Sequence, residues 1–288
     1  MHTDINEAIL RIYCEDRPGI IAEVTSFILD HGGNILDLDQ HTDSDNRKFF
    51  MRVSWDLNNF GIPREEIGST FNTMVAGTYS MNWDLSFSDK PPRIALFVSK
   101  QLHCLFDILG RWKTKEWMVD IPLIISNHED AREIAEKFGI EYQCLPITKE
   151  NKAEQEAAQI ELLKEHNIEL IVLARYMQIL SPSFIDAYRN NIINIHHSFL
   201  PAFPGARPYH SAYERGVKII GATSHYVTED LDEGPIIEQD IVPVTHRDSI
   251  QDLIRKGRDL ETLVLSRAVW KHIQRKTLVT ANRTIIFN

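Results

Sequence analysis

The strongest constraint on the fold is a set of short strand-like segments in the latter part of the chain, several of them nearly unbroken apolar runs. They fall at residues 93–99, 122–126, 141–145, 170–174 and 191–195. Each is strand-sized, and helical spacing separates most of them, as at residues 129–138 and 152–166. A strand that is apolar throughout needs both faces covered. Such strands alternating with amphipathic helices predict an open, mostly parallel α/β sheet. Past residue 216 the rhythm changes. Residues 218–227 and 235–242 read as consecutive strands, and residues 284–287 as a last one. Between them, residues 249–274 form one long amphipathic helix, with Ile250, Leu253, Ile254, Leu260 and Leu263 spaced for burial.

The first ninety residues follow another rule. Residues 8–13 read as a strand, Asp16-Arg17-Pro18-Gly19 as a turn, and residues 20–29 as a helix with Ile20, Val24, Phe27 and Ile28 on one stripe. Residues 35–41 predict a second strand. Residues 48–55 predict a third, with Phe49, Met51, Val53 and Trp55 on one face. A helix starting at Pro63 and a strand over residues 79–87 complete a β-α-β-β-α-β unit. Ser88-Asp89-Lys90-Pro91-Pro92 then favours an extended joint. The expected organisation is a small domain over 1–88, a linker at 89–92 and a larger domain over 93–288.

Composition narrows the class. At roughly 150 residues per domain, 288 residues fit about two domains. The 31 basic and 41 acidic residues leave a net charge of −10, which disfavours nucleic acid as a partner. No apolar run reaches the ~18 residues of a membrane span. The three cysteines are far apart and form no C-x-x-C. With no signal-peptide pattern at the start, a cytoplasmic protein with reduced thiols is expected.

Three polar clusters carry chemistry. Asn194-Ile195-His196-His197-Ser198 lies at the end of a predicted strand, where ligands bind in open α/β sheets. Strand alternation places Asn194 and His196 on one face and His197 on the other. An amide donor beside an imidazole suits attack on a carbonyl: the amide stabilises the oxyanion and the imidazole moves protons. The same two residues also serve as ordinary turn and hydrogen-bonding groups at strand ends. Neighbouring strand residues diverge, and no H-E-x-x-H accompanies them, so no metal site is expected. The second cluster, residues 221–235, is a strand running into an acidic loop closed by Gly234-Pro235. Asp232 there could pair with His196 and orient its ring, while such loops are also commonly solvated. The third, Ala174-Arg175-Tyr176-Met177-Gln178-Ile179-Leu180, could line a slot for a flat ligand or simply pack as core. No glycine-rich phosphate loop follows the first strand of the larger domain, which ends in Ser99-Lys100-Gln101-Leu102-His103.

These residues resemble the formyltetrahydrofolate-dependent formyltransferase family, whose Asn-x-His…Asp constellation matches Asn194, His196 and Asp232. The Asp16-Arg17-Pro18-Gly19-Ile20 turn resembles that of an ACT domain, a ligand-sensing βαββαβ module. An ACT domain ahead of a formyltransferase domain is the arrangement of the hydrolytic branch, the 10-formyltetrahydrofolate deformylases. The run from Ser198 through Pro201, Pro204, Gly205 and Arg207 to His210 is similar to theirs, as is the tail Ala281-Asn282-Arg283-Thr284. Amine-directed relatives carry the missing glycine loop or a further tRNA-binding domain.

The resemblance therefore implies hydrolysis of 10-formyltetrahydrofolate to formate and tetrahydrofolate, with no metal or redox cofactor. Asn194 and His196 would polarise the formyl oxygen, and Asp232 with His196 would deprotonate or place water. The folate would lie against residues 175–180 (Arg175, Tyr176, Met177, Gln178, Ile179 and Leu180) and Thr228. Glycine or methionine is the implied effector of the ACT-like part, which would also join chains into a homo-oligomer. Two other readings remain at this stage: a formyltransferase to a small amine, and a non-catalytic amino-acid sensor.

Overall fold

The structure is a computed structural model that describes residues 6–202 and 208–288; residues 203–207 of the motif run and the first five residues lie outside the described residues. The chain divides into two compact units. The first comprises Met1–Pro91 with Arg275–Leu278 and Ile285–Asn288, and the second Pro92–Gln274 with Val279–Thr284.

In the first unit, β1 (Glu7–Glu15), α1 (Ile20–Asp30), β2 (Asn34–Asp43), β3 (Lys48–Asp56), α2 (Arg64–Phe71), α3 (Gly77–Tyr79) and β4 (Asn82–Phe87) follow in order. A π-helical stretch, Asn72–Ala76, joins α2 to α3. Residues 79–81, expected as strand, thus belong to the end of this helix and its left-handed stop at Ser80. The antiparallel sheet has the order β2-β3-β1-β4. Its helix-covered face buries Leu10, Ile12, Phe49, Met51, Val53 and Trp55 against Ile20, Val24, Phe27 and Ile28. The expected alternation on β3 holds there, but Phe50 on the opposite face is buried too, between Tyr13 and His41.

The second unit is built on β5 (Arg93–Val98), α4 (His103–Lys113), β6 (Asp120–Ser126), α5 (Arg132–Phe138), β7 (Glu141–Cys144), α6 (Lys152–Glu165), β8 (Leu170–Ala174), α7 (Pro182–Ala187) and β9 (Ile192–His196). Next come α8 (Pro208–Arg215), β10 (Ile219–Tyr226), β11 (Ile236–Pro243) and α9 (Ile250–Ile273). The seven-stranded sheet has the order β11-β10-β9-β8-β5-β6-β7. The five strands from β9 to β7 run parallel, β10 runs antiparallel to β9, and β11 antiparallel to β10. Apolar side chains such as Ala95, Phe97, Leu123, Ile125, Ile171 and Leu173 fill one face against α6 and α7. Successive strands leave β5 in one direction and β8 in the other, so the sheet switches direction between β5 and β8. At such a switch point the loops beyond the strand ends part and leave a crevice.

Helix α9 starts from a capping box in which the Ser249 hydroxyl and the Asp252 carboxylate bond each other's backbone N–H. The chain closes with a two-stranded hairpin, β12 (Thr277–Thr280) and β13 (Arg283–Ile286). The first of these strands was not expected from the sequence.

Candidate active site

On β9, Ile192, Ile193 and Ile195 are buried in the sheet, while Asn194 and His196 share a face, as alternation requires. The antiparallel register sets His225 of β10 opposite Asn194 and Thr223 opposite His196. Asn194 Nδ2 stands 3.2 Å from His225 Nε2, and His225 Nδ1 stands 2.9 Å from the carbonyl oxygen of Tyr226. A carbonyl only accepts, so Nδ1 carries the ring proton. Nε2 of the neutral ring then accepts from the Asn194 amide. This engages one of the two amide hydrogens of Asn194 and orients the other.

Asp232 enters from the loop between β10 and β11. Its Oδ2 lies 3.2 Å from His196 Nδ1, and its Oδ1 lies 3.7 Å from His225 Nε2. Hydrogen bonding from His196 holds the Asp232 carboxyl well below the usual carboxylate range, against the opposing pull of burial. The loop that aims this side chain is tightly made. Asp232 sits in the left-handed region at φ 58°, a conformation that short polar residues tolerate. Asn282 Nδ2 donates to the Glu233 carbonyl at 2.9 Å. A Cβ on Gly234 would run into the Tyr226 carbonyl oxygen, so the close return of the loop requires glycine.

With Nδ1 turned to Asp232, the other nitrogen of His196, Nε2, is buried and has no hydrogen-bond partner among the described residues. The turn after β9 is fastened by Thr223. Its hydroxyl donates to the Ser198 carbonyl at 2.9 Å and accepts from Leu200 N and Gln239 Nε2. His197, the first residue past β9, has His196 and Tyr209 as ring neighbours, at 5.1 and 6.1 Å between centroids. Burial, with the positive charge of Arg175 nearby, pushes its imidazole down to about 4, so it is neutral at physiological pH.

A second carboxylate cluster lies at the switch point. Glu261 of α9 accepts from Tyr209 Oη on Oε1 at 2.5 Å. His103 Nε2 lies 2.8 Å from Oε2, and Arg175 Nε lies 3.4 Å from the same oxygen. Burial works against charge on Glu261, but the His103 hydrogen bond, the Arg175 charge and the Tyr209 hydroxyl together hold its carboxyl below the ordinary range. His103, Cys104 and Glu261 offer ligand atoms within 4.8 Å of one another. Binding a cation there needs a thiolate, yet burial and the Glu261 charge push the Cys104 thiol far up. Arg175 already supplies positive charge to the carboxylate, so the chemistry of this group fits an ionic cluster better than a metal centre.

The residues expected around a flat ligand separate. Tyr176 and Leu180 are core residues. Tyr176 stacks edge-on with Phe97, and its hydroxyl, pushed up to about 12 by burial, accepts from Gln159 Nε2 at 3.1 Å. Arg175, left-handed at φ 66°, turns its guanidinium inward to Glu261. Met177 and Ile179 are exposed and Gln178 half-buried, while Met177 N is held by Ser99 Oγ at 3.4 Å. The Thr228 hydroxyl donates to the Asp230 carbonyl in the Asp232 loop.

Sequence reasoning assigned no role to His225, Tyr209 or Glu261. Alternation does place His225 on the face of Thr223, but its register against Asn194 is set by sheet pairing. Glu261 left a legible signal, a lone carboxylate on the apolar stripe of α9 between Leu260 and Val264.

Known proteins fit this geometry. The formyl transferase family profile matches residues 92–269 and the ACT domain profile matches residues 8–59. The chain is 57% identical over 280 residues to the formyltetrahydrofolate deformylase of Synechocystis, covering 97% of this chain and 98% of that protein. It is 48% identical to the Bacillus subtilis protein of the same name, covering 97% and 93%. The crystal structure of a formyltetrahydrofolate deformylase from Pseudomonas syringae pv. tomato superposes with a TM-score of 0.97 at 42% identity, over 100% of this chain and 96% of that one. With its ACT and formyltransferase parts both matched along the length of these relatives, the chain belongs to the formyltetrahydrofolate deformylase family.

Proposed function

We propose that this protein hydrolyses 10-formyltetrahydrofolate to formate and tetrahydrofolate at the Asn194–His196–Asp232 site. The observation that carries the reading is the state of His196. Asp232 accepts a hydrogen bond from its Nδ1–H, which leaves the lone pair on Nε2, a buried nitrogen with no partner among the described residues. A general base needs that arrangement. Nε2 accepts a proton from water as the water oxygen bonds to the formyl carbon. The carbonyl electrons move onto the formyl oxygen, which the remaining Asn194 N–H stabilises. Asp232 steadies the imidazolium that forms. As the carbon–N10 bond breaks, its electron pair goes to N10, which takes the proton back from His196. These steps use side chains and water alone.

The folate's flat ring lies along the backbone of residues 175–180, beside the exposed Met177 and Ile179, with the Thr228–Asp232 loop on its other side. Glycine or methionine acts at the N-terminal unit through the Asp16–Gly19 turn, where Gly19 (φ 95°) precedes the first turn of α1. The same unit joins chains into a homo-oligomer. The products serve one-carbon metabolism and purine synthesis in the cytoplasm.

The direct test incubates purified protein with 10-formyltetrahydrofolate and measures formate and tetrahydrofolate. Equal amounts of both are expected, and both should vanish in His196→Ala. Near-wild-type formate release by that variant or by Asp232→Asn would overturn the assignment.

A further inference from the structure

The crevice at the β5/β8 switch point is where an open α/β sheet is best built to take a second reactant. His103 follows β5 and Arg175 follows β8 on either side of it, and His196 stands at the end of the adjoining β9. An amine acceptor arriving there is largely an ammonium ion, because α-amino groups titrate at about 8. Its natural receiver is a carboxylate. Glu261 is the buried carboxylate at this end of β5 and β8, and both of its oxygens are engaged: Oε1 by Tyr209, Oε2 by His103 and Arg175. The arrangement is built in. Tyr209 lies so close to Gly257, one turn before Glu261 on α9, that a Cβ on this glycine would run into its ring. Arg175 adds a positive charge whose Nε and Nη1 find no hydrogen-bond partner among the described residues. Unmet N–H donors favour a neutral oxygen such as water and repel an ammonium.

We propose that Tyr209 and His103, by occupying Glu261, are the specificity-determining residues that reserve the formyl carbon for water and reject amine acceptors. This rests on the hydrolytic reading above. In the rejected reaction the amine nitrogen would bond to the formyl carbon. The carbon–N10 bond would break with its pair on N10, and the proton lost by the amine would pass to N10. Freeing Glu261 gives an ammonium a counter-ion at the switch point and lets that reaction compete.

The test supplies 10-formyltetrahydrofolate with rising glycinamide and measures formate and formylglycinamide together. The ratio of the two products does not depend on how much of a preparation is active, so a merely structural defect leaves it unchanged. Wild type should yield formate alone. Tyr209→Phe keeps the ring on Gly257 and removes only the hydroxyl. It should raise the formylglycinamide fraction at least tenfold above the wild-type background, and addition of His103→Gln should raise it further. Folded variants that release formate with the wild-type product ratio would overturn the proposal, as would a wild-type protein that formylates glycinamide readily. A wild-type protein that releases no formate without amine would instead overturn the hydrolytic reading, and this one with it.

Discussion

Two histidine–carboxylate pairs of the second unit, His196–Asp232 and His103–Glu261, have similar separations of 3.2 and 2.8 Å. Their surroundings differ. The Asp232 side chain is 22% exposed, on a loop held in a left-handed turn, and its histidine keeps a buried nitrogen without a partner among the described residues. The Glu261 side chain is 1% exposed, on a 24-residue helix, and its two oxygens are met by a phenol, an imidazole and a guanidinium. The pair alone does not define a reaction centre. A carboxylate with both oxygens engaged ties its neighbours together, whereas an imidazole with an unpartnered nitrogen is suited to act as a base.

Mutations should separate the two pairs cleanly. The largest effect belongs to His196→Ala, which removes the proposed general base. Turnover should fall about a thousandfold while the melting temperature stays within a few degrees, measured by formate release and by calorimetry. Glu261→Gln should show the opposite weighting. It leaves Arg175 buried without its counter-charge and should cost about 3 kcal/mol of stability in a denaturant titration. An unchanged unfolding midpoint would erase the contrast between the two pairs. Asn194→Ala loses one oxyanion donor, and a fall of about a hundredfold in kcat with little change in KM is expected.

The smallest effect concerns pH. The imidazole of His197 is depressed to about 4, whereas an unfolded chain binds that proton near 6.5. Between those values the unfolded state holds more protons, so stability is full above pH 6.5 and is lost as pH falls toward 4. At pH 5 the loss should be roughly 2 kcal/mol. His197→Asn should flatten the pH dependence of the melting temperature across this window. Asp232, depressed in the folded protein, adds stability above the ordinary carboxylate range that is lost only in stronger acid.

Local chemistry made much of this legible in advance. The two-sided strands at residues 93–99 and 170–174 announced a covered parallel sheet because nothing else buries such runs. The βαββαβ order followed from the change between periods of two and 3.6. On β9, alternation was enough to put Asn194 and His196 on one face. Where the expectation failed, at residues 79–81, a helix ran on through a π-helical stretch that leaves no period in the sequence. Tyr176 and Leu180 illustrate another limit. Their apolar bulk suited a ligand slot or a core equally, and packing against Phe97 and the β5–β8 layer decided for the core.

By itself, then, the sequence determined most of the strands and helices, and placed the Asn194 amide and the His196 imidazole on one face. These depend on spacing along one segment. Only the tertiary structure decided which acid turns inward from the Glu229–Glu233 loop, that His225 faces Asn194 across the sheet, and that Tyr209, His103 and Arg175 converge on Glu261. Each of these unites residues from separate segments of the chain. Their pairing is set by strand register and by the direction in which α9 crosses the sheet, and neither is written in any local pattern.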